Sequence, residues 1–198
     1  MSIESAPHVL VLAAGQASRF GSPKQLVRIG GEALLQRAVA RATELAGHGV
    51  TVVLGAHAAQ LTPLLRHSSA TVLINRHWNE GLASSLRLGV AQLPMGTEAV
   101  LVTLADQAAI TAFDLRRLAS AWRRQPDSAI AASYDGHIGV PAIFPAHAFG
   151  LLQELRGDVG ARAVLSHLAD RVLRVPMPNA SIDIDVPEDL LKLDPEQK

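Results

Sequence analysis

Apolar residues fall along this chain in short unbroken runs that alternate with stretches at helical spacing. Val9–Ala13 is such a run and predicts a strand covered on both faces. Leu34, Leu35, Ala38, Val39, Ala42, Leu45 and Ala46 recur every three or four residues, which predicts a helix stopped by Gly47 and Gly49. Val50–Leu54 reads as a strand, Ala58–Arg66 as a short helix and Ala70–Ile74 as a third strand. Ala99–Leu104 is a further strand running into Asp106, and Ser128–Ser133 another. Between those two, Thr111 and Asp114 form a capping box for a helix. Near the end, Ser181–Asp185 alternates apolar and acidic residues as a half-buried strand does, so Asp183 and Asp185 share a face. Pro187, Glu188 and Asp189 then open a last helix. Strands alternating with helices predict an α/β fold with a mostly parallel sheet and right-handed crossovers.

The chain has 198 residues, which fits one domain, and 48% hydrophobic residues, which is enough for a core. Lys+Arg and Asp+Glu both number 18, so broad electrostatic binding to nucleic acid or a membrane surface is not expected. A small anionic ligand needs only local charge. With no cysteine, disulfides and thiolate metal sites are excluded, and the eight histidines show no zinc-ligand spacing. No apolar run approaches the roughly 20 residues that span a bilayer, and the expectation is a soluble cytoplasmic protein.

Chemistry first surfaces where the opening strand breaks. After Val9–Ala13 come Ala14, Gly15 and a small polar stretch to Gly21, with cations at Arg19 and Lys24. A strand that opens into a glycine-bearing loop points several backbone N–H groups at one spot, and that spot attracts phosphate. The spacing is neither the Walker loop nor the dinucleotide fingerprint, because no middle glycine separates Gly15 and Gly21.

The string L-A-A-G-x-x-x-R-F-G-x-x-K resembles the signature of nucleotidyltransferases with a GT-A-like fold, among them the molybdenum cofactor cytidylyl- and guanylyltransferases. Four further segments resemble that family in its own order. They are Asn75–Gly89 with Trp78, Gly81 and Ser84; Leu104–Ala108 around Asp106; Gly136–Phe144 with Gly139 and Pro141; and Gly157–Arg162 with Asp158. Ser181–Leu190 resembles the family's closing D-I-D-T-P-E-D segment. Two positions depart from it: Ala108 replaces a proline and Val186 a capping threonine.

The resemblance implies a three-layer α/β/α, Rossmann-like GT-A domain, with residues 1–110 as the nucleotide half and 111–198 as the acceptor half. It implies nucleotide contacts at Ala13, Ala14, Gly15, Arg19, Gly21, Lys24, Asn75, Gly81 and Ser84. Ser84 and Ser85 could instead cap a helix. Acceptor contacts are implied at Gly139, Pro141, Asp158 and Arg162. Asp158 could equally cap the helix that follows it, with Arg162 holding Asp158 or a phosphate. His137 is a candidate donor or a solvated loop residue.

An acid at the C-terminal end of a strand, opposite a triphosphate loop, suits Mg²⁺. Asp106 and Asp185 are the expected metal ligands, with Asp183 as the alternative to Asp185. Arg19, Lys24 and Asp106 are the expected catalytic residues. The implied reaction moves CMP from CTP to the terminal phosphate of molybdenum-bound molybdopterin and releases pyrophosphate. The product would pass to a molybdenum hydroxylase. Ala14 favours the cytidylyl branch, since guanylyltransferases tend to carry a glycine there. Open alternatives are GTP or another phosphorylated acceptor, a non-catalytic nucleotide binder, and an NAD(P)H-binding reductase on the same scaffold.

Overall fold

The computed structural model describes residues 6–16, 23–184 and 189. Nine strands and six α-helices alternate along the described chain. The strands are β1 (His8–Ala13), β2 (Arg28–Ile29), β3 (Glu32–Ala33), β4 (Val50–Leu54), β5 (Thr71–Ile74), β6 (Ala99–Leu104), β7 (Ala129–Tyr134), β8 (His137–Pro145) and β9 (Val172–Pro176). The helices are α1 (Leu34–Ala46), α2 (Ala58–Leu61), α3 (Leu82–Ala91), α4 (Ala112–Arg124), α5 (Phe149–Glu154) and α6 (Arg162–Leu168).

Seven strands form one sheet in the order β5-β4-β1-β6-β8-β7-β9, and β2 and β3 form a separate hairpin. β1 pairs in parallel with β4 on one side and with β6 on the other, Leu12 lying opposite both Val53 and Leu104. β8 alone runs against its neighbours, β6 and β7. β9 returns parallel to β7. The sheet is therefore mostly parallel, with helices on both faces.

The strand residues explain this layering. In β1, Val9, Val11 and Ala13 face one way and join Leu35, Val39 and Ala42 of α1 and Leu118 and Trp122 of α4. Leu10 and Leu12 face the other way, toward Leu86 and Val90 of α3, Leu152 of α5 and Leu165 of α6. Each fully buried leucine of this kind contributes about 1.5–3 kcal/mol over leaving it in water. A strand buried on both faces must be apolar at every position, which is why β1 and β4 read as unbroken runs.

The structure departs from the sequence-based expectations at several elements. β9 was not anticipated. The helix expected over 58–66 is one α-turn followed by a 3-10 turn, Thr62–Leu65, which contains Pro63. The strand expected at Ser181–Asp185 does not form over its described part. Pro178–Ser181 is a 3-10 turn, and residues 182–184 have no ladder partner. Two side chains explain it. The Asn179 amide donates to the Ala109 carbonyl and to Asp114 Oδ2, pinning the turn. Ile184 is buried against Ile29, Leu34, Ala108 and Ala109, so its alternation serves a small satellite core. The last helix, with Val186 and Pro187, lies outside the described residues.

Candidate active site

The chain leaves β1 toward one neighbour, β4, and β6 lies on its other side, so a crevice opens beyond the C-terminal ends of β1 and β6. Ligands of parallel sheets collect at such a switch point. A cleft of about 640 Å³ lies there, within the size range of small-molecule sites. Its walls come from three segments: Leu12–Gln16 with Lys24 and Gln25, Trp78–Leu82 with Ser85, and Leu104–Asp106, with Asp158 at the rim.

The first wall is held from behind by Gln25, which is only 3% exposed. Its amide nitrogen donates to the carbonyls of Ala13 and Gly15 at 3.4 and 3.2 Å. That fixes the strand end and the start of the loop together. The Ala14 carbonyl accepts from Ala56 N at 3.2 Å. Gly55 makes this approach possible. A Cβ there would stand 2.5 Å from the Ala14 carbonyl oxygen and 2.7 Å from Trp78 Cβ. Gly15 is the reverse case: among the described residues, a Cβ on it would meet nothing within 4 Å.

Across the cleft stands Asp106, two residues past the end of β6. Its carbonyl accepts from Ala108 N at 2.9 Å and from Ile184 N at 3.2 Å. The first of these bonds gives the missing proline a physical meaning, because proline has no N–H to donate. The Ala108 carbonyl in turn accepts from Arg41 Nη2 at 2.8 Å. Burial, reinforced by the neighbouring Arg37, lowers the Arg41 pKa to about 10, so Arg41 stays cationic at neutral pH. Gln107 is buried, and its amide donates to the carbonyls of Val140 and Ala180.

Lys24 meets Asp106 directly, Nζ to Oδ2 at 2.5 Å, with both side chains largely sheltered at 15% and 18% exposed. The other carboxylate oxygen, Oδ1, is buried and has no hydrogen-bond partner among the described residues. A buried carboxylate oxygen without a partner is costly unless something arrives to use it. A hard divalent cation fits that description. Among the described residues no group of three or more His, Asp or Glu side chains surrounds one point. Asp106 would therefore supply one carboxylate, the remaining oxygens coming from phosphate, water or residues beyond those described.

The second wall is a tight turn. Gly81 has φ 101°, and a Cβ on it would lie 2.5 Å from the Gly157 carbonyl carbon and oxygen and 2.6 Å from Asp158 N. Only glycine sits there without moving the 157–158 backbone. Asp158 Oδ1 accepts from Leu82 N at 3.3 Å. This corrects one expectation: the helix that Asp158 caps is α3, far away in sequence, and not the one following it. α3 accordingly starts at Leu82, with Ser84 and Ser85 inside its first turn. Beside this turn, Glu80 lies between His77 and Arg87, at 3.2 and 3.3 Å.

Of the expected nucleotide contacts, Ala13, Ala14, Gly15, Lys24 and Gly81 line the cleft. Asn75 and Ser84 are not among the described lining residues, and their polar atoms are engaged internally. Asn75 Nδ2 donates to the hydroxyls of Ser84 and Ser85 at 2.8 and 2.9 Å, and its Oδ1 accepts from His77 N at 2.9 Å. Ser84 Oγ reaches the carbonyls of Gly81 and His77. These residues build the turn, and the neighbouring Ser85 is the one on the wall. Arg19, Gly21 and Asp185 lie outside the described residues.

Of the four expected acceptor contacts, all within the described residues, Asp158 lines the cleft and Gly139, Pro141 and Arg162 do not. Pro141 follows a cis peptide bond in β8. Gly139 has the Tyr134 hydroxyl against the space a Cβ would fill. His137 and Arg162 are exposed. The Tyr134 pKa is raised by burial and by Asp183, against the opposing pull of Arg162. Those three groups are thus electrostatic neighbours. Sequence reasoning assigned no role to Gln25, Gly55 or Gln107. Gln25 carries no sequence signal beyond its place next to Lys24, whereas Gln107 stands inside the Leu104–Ala108 segment that resembles the family's.

A doubly wound sheet whose switch-point cleft joins a glycine-bearing loop, a lysine and an aspartate defines an α/β protein built to hold a nucleotide or similar anion. The chain belongs to the MobA-like NTP transferase domain family, with the match spanning residues 9–172, and is by family a nucleotidyltransferase. Among curated proteins it is similar to nicotine blue oxidoreductase of Paenarthrobacter nicotinovorans, 29% identical over 167 residues and covering 79% of each chain. Among solved structures it resembles the Mycobacterium tuberculosis Rv0371c homologue from Mycobacterium sp. strain JC1. That likeness has a TM-score of 0.79 and 26% identity, and covers 93% of this chain and 92% of the other. It also shares its fold with Rv0371c of M. tuberculosis H37Rv in complex with manganese, at a TM-score of 0.76 and 23% identity, covering 96% and 98%. No helix among the described residues is long and apolar enough to cross a membrane.

Proposed function

We propose that the protein transfers a nucleotidyl group from a nucleoside triphosphate, CTP in first place, to the terminal phosphate of a molybdopterin-type acceptor. The product would be handed to a molybdenum hydroxylase. The observation that carries this reading is the Lys24–Asp106 pair across the cleft, with Asp106 Oδ1 buried and without a hydrogen-bond partner among the described residues. In the transfer, an acceptor phosphate oxygen forms a bond to the α-phosphorus. The bond from that phosphorus to the β-phosphate oxygen breaks, and pyrophosphate leaves. The nucleophile is already ionised near neutral pH, so no general base is needed.

The obstacle is charge, an anion approaching a polyanion, and preorganised cations are the remedy. Lys24 would bind the leaving phosphates, with Arg19 beside it. Asp106, with Asp185, would hold Mg²⁺. When bound, that ion would neutralise and align phosphate oxygens. Gln25 keeps the loop in place, and Arg41 and the Ala108 turn keep Asp106 in place. Residues 1–110 would serve the nucleotide and 111–198 the acceptor, with Gly139, Pro141, Asp158 and Arg162 on that side.

A second reading is favoured by one observation, the similarity to a protein described as an oxidoreductase. In that reading the cleft holds NAD(P)H. Thermal stabilisation by CTP, GTP, ATP and NADPH, each with and without Mg²⁺, separates the two. A Mg²⁺-enhanced response to CTP, with pyrophosphate release once acceptor is added, supports transfer. A response to NADPH and to no triphosphate refutes it.

A further inference from the structure

We propose that Lys24 is a latch on Asp106: it closes this carboxylate to a lone divalent cation and leaves it only when a polyphosphate offers Lys24 other anionic oxygens. This rests on the reading above that Asp106 is a metal ligand. The Lys24 ammonium is 2.5 Å from Asp106 Oδ2, and both side chains are mostly out of solvent, so screening is weak. A lone divalent cation approaching Oδ1 meets that ammonium on the far side of the same carboxylate. Like charges so close, in partly excluded solvent, repel strongly.

A triphosphate reverses the balance. It offers Lys24 several anionic oxygens, while its own bound cation takes the carboxylate that Lys24 vacates. The movement belongs to the side chain. The Lys24 backbone begins a 3-10 turn closed by Val27 N to the Lys24 carbonyl at 3.0 Å, and the next residue, Gln25, is tied to Ala13 and Gly15. A flexible four-carbon stem on a fixed backbone is suited to exchanging one anionic partner for another. Metal and nucleotide are then coupled sites, and the coupling is reciprocal. Lys24 is unfavourable to metal alone and favourable to metal with nucleotide.

The test is Mn²⁺ binding without nucleotide, read from the electron paramagnetic resonance signal of free Mn²⁺. It compares wild type, Lys24→Gln, Lys24→Met, Asp106→Asn and the double variant Lys24→Gln/Asp106→Asn, each checked for a wild-type melting profile. Loss of the ammonium should tighten Mn²⁺ binding, within the 5–150-fold range typical of coupled sites, roughly tenfold in both Lys24 variants. The gain should vanish in the double variant. The same Lys24 variants should bind the Mn²⁺ complex of a non-cleavable CTP analogue more weakly than wild type. Lys24 variants that bind Mn²⁺ no tighter than wild type, while Asp106→Asn still weakens binding, would overturn the latch and leave the metal assignment standing. Mn²⁺ binding insensitive to Asp106→Asn in both backgrounds would overturn the metal assignment and the latch together.

Discussion

Replacing Gly55 by alanine adds one methyl group at the place where three chain segments meet. Built on the existing backbone, that methyl lies 2.5 Å from the Ala14 carbonyl oxygen, 2.7 Å from Ala14 Cβ and 2.7 Å from Trp78 Cβ. Two of these three are the loop leaving β1 and the third is the turn facing it, so relief cannot come from swinging the end of a flexible side chain. The backbone of one cleft wall must move. Overpacking of this kind costs about 1–3 kcal/mol. For a chain of this length that lowers the melting temperature by about 2–12 °C.

Gly150→Ala is the matched control. It makes the same chemical change in α5, where a Cβ meets nothing within 4 Å among the described residues. There, alanine's helix propensity and the smaller entropy of its unfolded chain should stabilise by about 0.4–1 kcal/mol. Urea unfolding and thermal melts of the two variants should move in opposite directions. Gly55→Ala should also lose nucleotide-induced stabilisation, and Gly150→Ala should keep it. A Gly55→Ala protein with wild-type stability would refute the packing argument for the cleft wall.

Lys24→Ala should weaken stabilisation by CTP more than by CMP, and turnover should fall by roughly 10²–10³; equal losses for the two nucleotides would remove the polyphosphate role. Asp158→Ala leaves the Leu82 N–H uncapped and should cost about 0.5–2 kcal/mol in urea unfolding, largely restored by Asp158→Asn; no loss would refute the long-range cap. His8, half-buried with Nε2 2.8 Å from the Thr51 hydroxyl, has its pKa lowered by burial. The unfolded chain therefore binds the extra proton first, and the His8 contribution to stability is intact above about pH 6.5 and declines as the pH falls below it. Unfolding free energies between pH 8 and 5 should show a smaller acid loss in His8→Asn than in wild type; identical profiles would exclude His8 as a source.

What was legible in the sequence was what neighbouring residues decide among themselves. Val50–Leu54 is a strand over the range its apolar run marks, and α1 stops at Gly47 as expected. The Thr111–Asp114 box forms, with Asp114 Oδ2 accepting from Thr111 N at 3.0 Å. What was illegible depends on segments that meet only in three dimensions. The acid at position 158 reads as a cap for its own helix, and nothing nearby indicates that Leu82 is its partner. β9 is an edge strand with Arg174 at its centre and Pro176 at its end, so it lacks the unbroken apolar run of β1. Ser181–Asp185 carries the alternation of a strand, yet Ile184 spends it on a pocket formed by the β2–β3 hairpin, α1 and the loop after Asp106. For the candidate site, Gly15, Lys24 and Asp106 stand out as a glycine break and two charges. Gln25, neutral and buried, looks like an ordinary surface residue on paper, and Gln107 stands in the Leu104–Ala108 segment without its two carbonyl partners being visible there.

The Gln107 side chain bears on how this scaffold can be diversified. One amide nitrogen, on the residue next to Asp106, bonds carbonyls at Val140 and at Ala180, in two segments separated by 40 residues of chain. The bonds themselves use only main-chain oxygens, so substitutions at exposed positions of both segments leave them intact, whereas Asn179, which pins the turn before Ala180, and Gly139, whose Cβ space the Tyr134 hydroxyl fills, are held. Insertions or deletions near either carbonyl are different, because they would pull on the segment that carries the aspartate. Directed evolution toward a new acceptor should therefore accumulate substitutions in these two stretches and reject changes in their length.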